Sequence, residues 1–174
     1  MDSKKHPVED LIGQKLIKVQ EDGSIGEVPI GTWLTENANI KYLCFYFGAH
    51  WAPPSRLFTS TLQEKFYSIV NKDEKSAEVV FVTDDREASH FERNFKKMPW
   101  YAVPYESKQN IGNLKSRYGV YDLPTLIVVD PSTGEVIDHD GREYVTNCTQ
   151  AVARWNGIID RKKNPEPEEA QIVS

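Results

Sequence analysis

The sequence predicts an α/β sandwich built on a mixed sheet, and three observations carry that reading. Continuous apolar runs of strand length, at Tyr42–Phe47, Val79–Val82 and Leu126–Val129, have no polar face, as strands covered on both sides do. Segments with apolar residues at helical spacing lie between them. Proline, glycine and aspartate fall at the junctions. The order strand, helix, strand, helix, helix, strand, strand, helix then stacks helices against a sheet with parallel central strands and an antiparallel edge.

Residues 1–7 read as an N-terminal tail. Leu16, Ile17 and Val19 precede the turn signal Glu21-Asp22-Gly23-Ser24, so the stretch from Leu11 to Val28 predicts a β-hairpin. Ile30–Glu36 is a short helix. Tyr42–Phe47 is the central strand, closed by Gly48. Pro53 and Pro54 suit the first turn of a helix, where a missing N–H costs little. Leu57, Phe58, Leu62, Phe66, Ile69 and Val70 carry that helix to about Asn71. Val79–Val82 is a second strand. Asp84 or Asp85 is placed to cap a helix bearing Ala88, Phe91, Phe95 and Met98, which Pro99 stops. Ile111–Tyr118 forms a helix ended by Gly119. After Leu123-Pro124-Thr125 comes the third strand. The turn Pro131-Ser132-Thr133-Gly134 returns Glu135–Asp138 as its antiparallel partner. A last helix, Asn147–Ile159, shows Ala151, Val152, Trp155 and Ile158 on one stripe. Residues 8–160 make one domain, and 161–174 a polar tail whose composition predicts disorder in isolation.

At 174 residues the chain is long enough to bury a core without cross-links. Its net charge of -5, with no basic stripe, argues against nucleic-acid binding. No apolar run approaches the ~20 residues that span a bilayer. Met1–Pro7 lacks the apolar core of a secretory signal. The expected location is intracellular, the cytoplasm first, with a mitochondrial or ciliary complex left open. Cys44 and Cys148 have no metal or redox spacing and read as reduced structural thiols. Asn147-Cys148-Thr149 matches a glycosylation pattern but has no secretory route. Asp138-His139-Asp140-Gly141 lacks the remaining ligands of a calcium loop and reads as a solvated turn. No metal or cofactor is expected.

One run stands out, Trp51-Ala52-Pro53-Pro54-Ser55-Arg56, at a strand-to-helix junction. Together with Phe45–Trp51, Phe81-Val82-Thr83-Asp84-Asp85, Lys97–Tyr105 and Tyr121–Thr125, it resembles the tryparedoxin and nucleoredoxin branch of the thioredoxin superfamily. The resemblance covers about Val8 to Ile159. It implies a thioredoxin-like three-layer sandwich and a cis-proline at Pro124. It also implies a Cys-Pro-Pro-Cys-Arg frame in which Ala52 and Ser55 hold the two cysteine positions. Thiol–disulfide exchange needs a thiolate. As written, then, the resemblance implies a thioredoxin-like frame with no catalytic residue.

Two readings follow. One is a redox-inactive binding or accessory subunit of a large multi-subunit complex with protein partners. Its binding surface would be Trp51, Pro53, Pro54, Arg56, Trp100, Leu123 and Pro124, receiving an extended peptide. The other is an engineered, cysteine-less form of an active tryparedoxin-like disulfide oxidoreductase. A weaker third possibility is an anion held at the helix N-terminus. Ser55 as a new nucleophile would need an adjacent base, and His50 has no evident carboxylate partner. His6 and His90 carry no argument. In the accessory-subunit reading, the tail from Arg161 to Ser174 lies against partner chains.

Overall fold

The computed structural model describes residues 5–165. Seven strands form one sheet in the order β2-β1-β5-β4-β3-β6-β7. The hairpin is present as β1 (Lys15–Val19) and β2 (Ile25–Pro29). The central strand β3 (Tyr42–Gly48) pairs in parallel with β4 (Ala77–Thr83) and antiparallel with β6 (Thr125–Val129). A two-residue strand β5 (Tyr101–Ala102) joins β4 to β1, and β7 (Val136–Asp138) closes the far edge.

The alternation of β3 explains why its sequence is apolar throughout. Tyr42, Cys44 and Tyr46 enter one core, and Leu43, Phe45 and Phe47 enter the other. The first core lies under Phe58 of α3 (Pro53–Thr61), under α5 (Ala88–Phe95) through Phe91 and Phe95, and under α8 (Cys148–Lys163) through Ala151 and Trp155. The second lies under α1 (Pro7–Ile12), α2 (Ile30–Glu36) and α6 (Lys108–Tyr118). The result is the three-layer sandwich. Gly119 ends α6 in the left-handed region at φ 61°, where a side chain is disfavoured.

Four local features depart from the sequence expectation. Residues Pro7–Ile12 form a helix, with Pro7 at its first position and His6 Nδ1 accepting from the Val8 N–H at 3.2 Å. The helix after Pro54 widens into a π segment (Leu62–Tyr67) before a last turn, α4 (Ser68–Val70). Strand β4 starts two residues before the apolar run because it contains Glu78, which is buried. The Tyr67 hydroxyl donates to its carboxylate at 2.9 Å, the Val79 N–H at 3.0 Å, and Lys75 pairs with it. Helix α8 continues to Lys163 rather than ending at Ile159; its basic last turn suits the negative end of the helix dipole. The tail expectation beyond Pro165 lies outside the described residues.

The solvated turn expected at Asp138–Gly141 is corrected at its first residue. Asp138 is 5% exposed. Its Oδ2 accepts from Arg154 Nε and from Trp155 Nε1, both at 2.9 Å, and its Oδ1 accepts from the Asp140 N–H at 2.9 Å. It ties β7 to α8. Only His139 and Asp140 are solvent-facing, just ahead of the short helix α7 (Gly141–Tyr144). Among the described residues no helix is long and apolar enough to cross a membrane.

Candidate functional site

The site forms where β3 ends and α3 begins. The Asp84 N–H donates to Gly48 O at 2.9 Å, holding the ends of β3 and β4 together. The chain then turns through Ala49–Ala52. Two clamps fix this turn. The His50 N–H donates to Asp85 Oδ1 at 2.7 Å, and the Arg56 guanidinium donates to His50 O at 2.8 Å. Asp85, expected as a helix cap, is therefore used on the site instead, with Thr83 Oγ1 donating to its second oxygen at 3.0 Å. Helix α5 begins after Glu87 with no side-chain cap. Trp51 Nε1 donates to Asp84 O at 3.2 Å, which fixes an indole that is 51% exposed.

Ala52 occupies the N-cap of α3 and offers no side-chain acceptor. Pro53 and Pro54 have no N–H. The N–H groups of Ser55 and Arg56 turn back to Ala52 O at 2.9 and 3.4 Å. The first turn thus presents no free N–H, so an anion at this helix end would meet the helix dipole without a hydrogen bond from that turn.

Ser55 is 1% exposed, and its Oγ has no hydrogen-bond partner among the described residues. Its carbonyl is well used, accepting from Tyr46 Oη at 2.7 Å and Thr59 Oγ1 at 3.0 Å. Without a bond from His50 or any other base, the serine is not assembled as a nucleophile. A buried hydroxyl left unpaired costs about 1–3 kcal/mol. Ser55→Ala is therefore expected to raise stability by about 1 kcal/mol in urea unfolding. A clearly destabilised variant would show that the hydroxyl is bonded after all.

The two cysteines lie elsewhere. Cys44 is fully buried in β3, and burial pushes its thiol far above the ordinary range. Cys148 is half-buried at the start of α8, and burial raises its thiol too. Neither borders the site, and neither has the lowered pKa of a reactive thiol.

A groove of about 440 Å³ opens at the surface. One wall is Trp51-Ala52-Pro53-Pro54 and the other is Val120-Tyr121-Asp122-Leu123, with Asp84 and Lys115 also lining it. Lys115 Nζ pairs with Asp84 Oδ1 at 2.5 Å. The Leu123–Pro124 peptide bond is cis, and Arg142 donates to Pro124 O at 3.2 Å. The N–H groups of Tyr121, Asp122 and Leu123 find no backbone acceptor among the described residues. A larger hollow of about 750 Å³, lined by Trp33, Asn37, Lys41 and Asp160 among others, opens elsewhere. None of the exposed large apolar side chains lines it, whereas Trp51 and Tyr121 both line the groove.

Of the residues expected on this surface, the structure brings together Trp51, Pro53, Pro54 and Leu123, with the largely buried Ala52 of the former redox pair also lining the groove. Ser55 and Pro124 are buried. Arg56 is spent on the turn. Trp100 is a correction: it is 0% exposed, packed edge-on against Tyr46 and Tyr67 at centroid distances of 6.3 and 5.3 Å. It precedes the short interior strand β5, and alternation sends Tyr101 to one core and Trp100 to the other. Sequence reasoning missed Tyr121, Asp122, Asp84 and Lys115 as lining residues. The available signal was Tyr121, an aromatic outside any periodic segment; it is 93% exposed.

Comparison with known proteins gives consistent results. The family described as Thioredoxin-like matches residues 39–136. Bos taurus nucleoredoxin is 44% identical over 102 residues, which is 59% of this chain and 23% of that protein. The chain thus matches about a quarter of the length of the nucleoredoxins it resembles. Trypanosoma brucei brucei tryparedoxin is 36% identical over 120 residues, covering 69% of this chain and 78% of that protein. Among solved structures, tryparedoxin I from Crithidia fasciculata superposes with a TM-score of 0.65 at 30% identity, covering 94% of this chain and 95% of that one. Thioredoxin from Wuchereria bancrofti gives 0.63 at 34% identity, covering 84% and 96%.

Proposed function

We propose that this chain, which belongs to the Thioredoxin-like family, is a redox-inactive member that binds an extended protein segment in its groove and serves as an accessory subunit of a larger assembly. The single observation behind this reading is the chemistry at the mouth of α3. Exchange of a disulfide requires a thiolate to attack sulfur, and a second thiol to release the product. Position 52 offers a methyl group, and position 55 a buried, unpartnered hydroxyl. The remaining cysteines are held in the core and in the first turn of α8.

What is left is a surface suited to binding. A half-exposed indole and two prolines face a segment whose backbone N–H groups are unpaired. An extended peptide satisfies those donors while covering Trp51, which combines directional bonds with apolar burial. Cytoplasmic location fits a chain that keeps its thiols reduced.

The orphaned hydroxyl of Ser55 is also what a serine set into a thiol's slot leaves, by natural change or by deliberate substitution in an active tryparedoxin-like enzyme. Alanine and serine codons in the native transcript assign it to natural change; cysteine codons would assign it to substitution.

Binding is tested by titrating a capped, uncharged pentapeptide with a central norleucine into ¹⁵N-labelled protein. The Trp51 indole N–H signal and the Tyr121–Leu123 amide signals are expected to move. The indole signals of Trp33, Trp100 and Trp155, which are fully buried, are expected to stay. An unmoved Trp51 signal at millimolar peptide would overturn the binding reading.

A further inference from the structure

We infer that the groove selects a peptide carrying a basic side chain, arginine or lysine, at the position that sits between Trp51 and Tyr121. This inference rests on the binding reading above and names the chemistry of the partner.

The charge inside the groove is asymmetric. Its charged lining residues are Asp84, Lys115 and Asp122. Lys115 is spent on Asp84 at 2.5 Å, so those two cancel. Asp122 is exposed, and its carboxylate makes no ion pair with a described residue. The groove is therefore left with one uncompensated negative charge. Two of its exposed lining residues are aromatic, Trp51 at 51% and Tyr121 at 93%. An aromatic face carries a negative quadrupole and attracts a cation, Trp most strongly. The Trp51 indole cannot swing away freely, because Nε1 is bonded to Asp84 O.

A guanidinium suits this setting better than an aliphatic side chain of the same length. Its flat face can lie on the indole or the phenol while its edge N–H groups reach the Asp122 carboxylate. The methylene stem covers Pro53, Pro54 and Leu123. An acidic side chain meets the unpaired Asp122 charge and both π faces, so it is disfavoured twice. The protein's overall charge of -5 adds a weaker, salt-screened attraction for a basic partner.

The test extends the titration to three capped pentapeptides identical except for a central arginine, norleucine or glutamate, at about 0.15 M salt. Affinity is read from the Trp51 indole signal. The arginine peptide is expected to bind about five- to tenfold tighter than the norleucine peptide, with glutamate weakest. Asp122→Asn and Tyr121→Ala, both at exposed positions, are each expected to shrink the arginine preference while leaving the buried indole signals of Trp33, Trp100 and Trp155 in place. Equal binding of arginine and norleucine peptides would overturn the basic preference and leave the groove reading standing. A preference that survives both substitutions would overturn it too, assigning the effect to bulk charge. Failure of all three peptides to move Trp51 would remove the groove reading and this inference with it.

Discussion

Replacing Asp138 with alanine is expected to destabilise the fold by about 1–3 kcal/mol, measured by urea unfolding at neutral pH. The carboxylate is buried at the β7–α8 junction and accepts three hydrogen bonds, from Arg154, Trp155 and the Asp140 N–H. Alanine removes one partner and strands the rest. The Trp155 indole N–H loses its acceptor inside the core, and the Arg154 guanidinium, over the Tyr144 ring at 4.1 Å, loses its counter-charge. The same residue makes stability depend on acid. Burial alone would raise the Asp138 carboxyl, but the bonds from Arg154, Asp140 and Trp155, with the Arg154 charge, outweigh it and hold it below the usual carboxylate range. A carboxyl depressed in the folded state contributes stability that is fully present above its unfolded value of about 3.9. That contribution fades as pH falls from there through the lower folded value. Asp138→Ala is expected to lose this part of the acid dependence; an unchanged stability and an unchanged acid profile would contradict the role given to the triad of bonds.

The second large effect is a gain. Ala52→Cys/Ser55→Cys is expected to acquire disulfide reductase activity in an insulin-reduction assay with dithiothreitol as reductant. The frame supports it at each step. A cysteine at position 52 takes the N-cap of α3, where the helix dipole lowers a thiol's pKa and makes it the attacking group. A cysteine at position 55 follows one turn later. The Ser55 N–H bond to Ala52 O, at 2.9 Å, already closes the two positions into a turn. The slot at 55 gives its hydroxyl no partner, which a weakly hydrogen-bonding thiol tolerates better. Attack by the first thiolate on insulin sulfur would form a mixed disulfide. The second thiol would resolve it, releasing reduced insulin and an internal disulfide that dithiothreitol reduces. A folded double variant with no turnover would show that the groove, and not only the missing sulfur, has lost its competence.

Much of the fold was legible because pattern and environment agree. The apolar run of β3 reports a strand covered on both faces, and Gly119 reports the left-handed stop of α6. The sequence fails where a polar group is buried with partners brought from afar. Glu78 hides the start of β4, because its carboxylate is satisfied by Tyr67 and Lys75. Asp138 passes for a turn residue, because Arg154 and Trp155 come from the next helix. At the site, the local run Trp51–Pro54 and Leu123 were readable from resemblance. The opposite wall was harder, because exposure of Tyr121 and the spending of Lys115 on Asp84 depend on how α6 meets β4. Trp100 misled for the converse reason: an aromatic in a loop-like stretch was turned inward by the alternation of a two-residue strand.

The most direct measurement is insulin reduction by the unaltered protein, run beside the double-cysteine variant as positive control. The unaltered protein is expected to match the dithiothreitol blank, because neither Cys44 nor Cys148 reaches the groove. Turnover above the blank that disappears with Cys44→Ala or Cys148→Ala would contradict the account, since it would place a working thiol where none is expected.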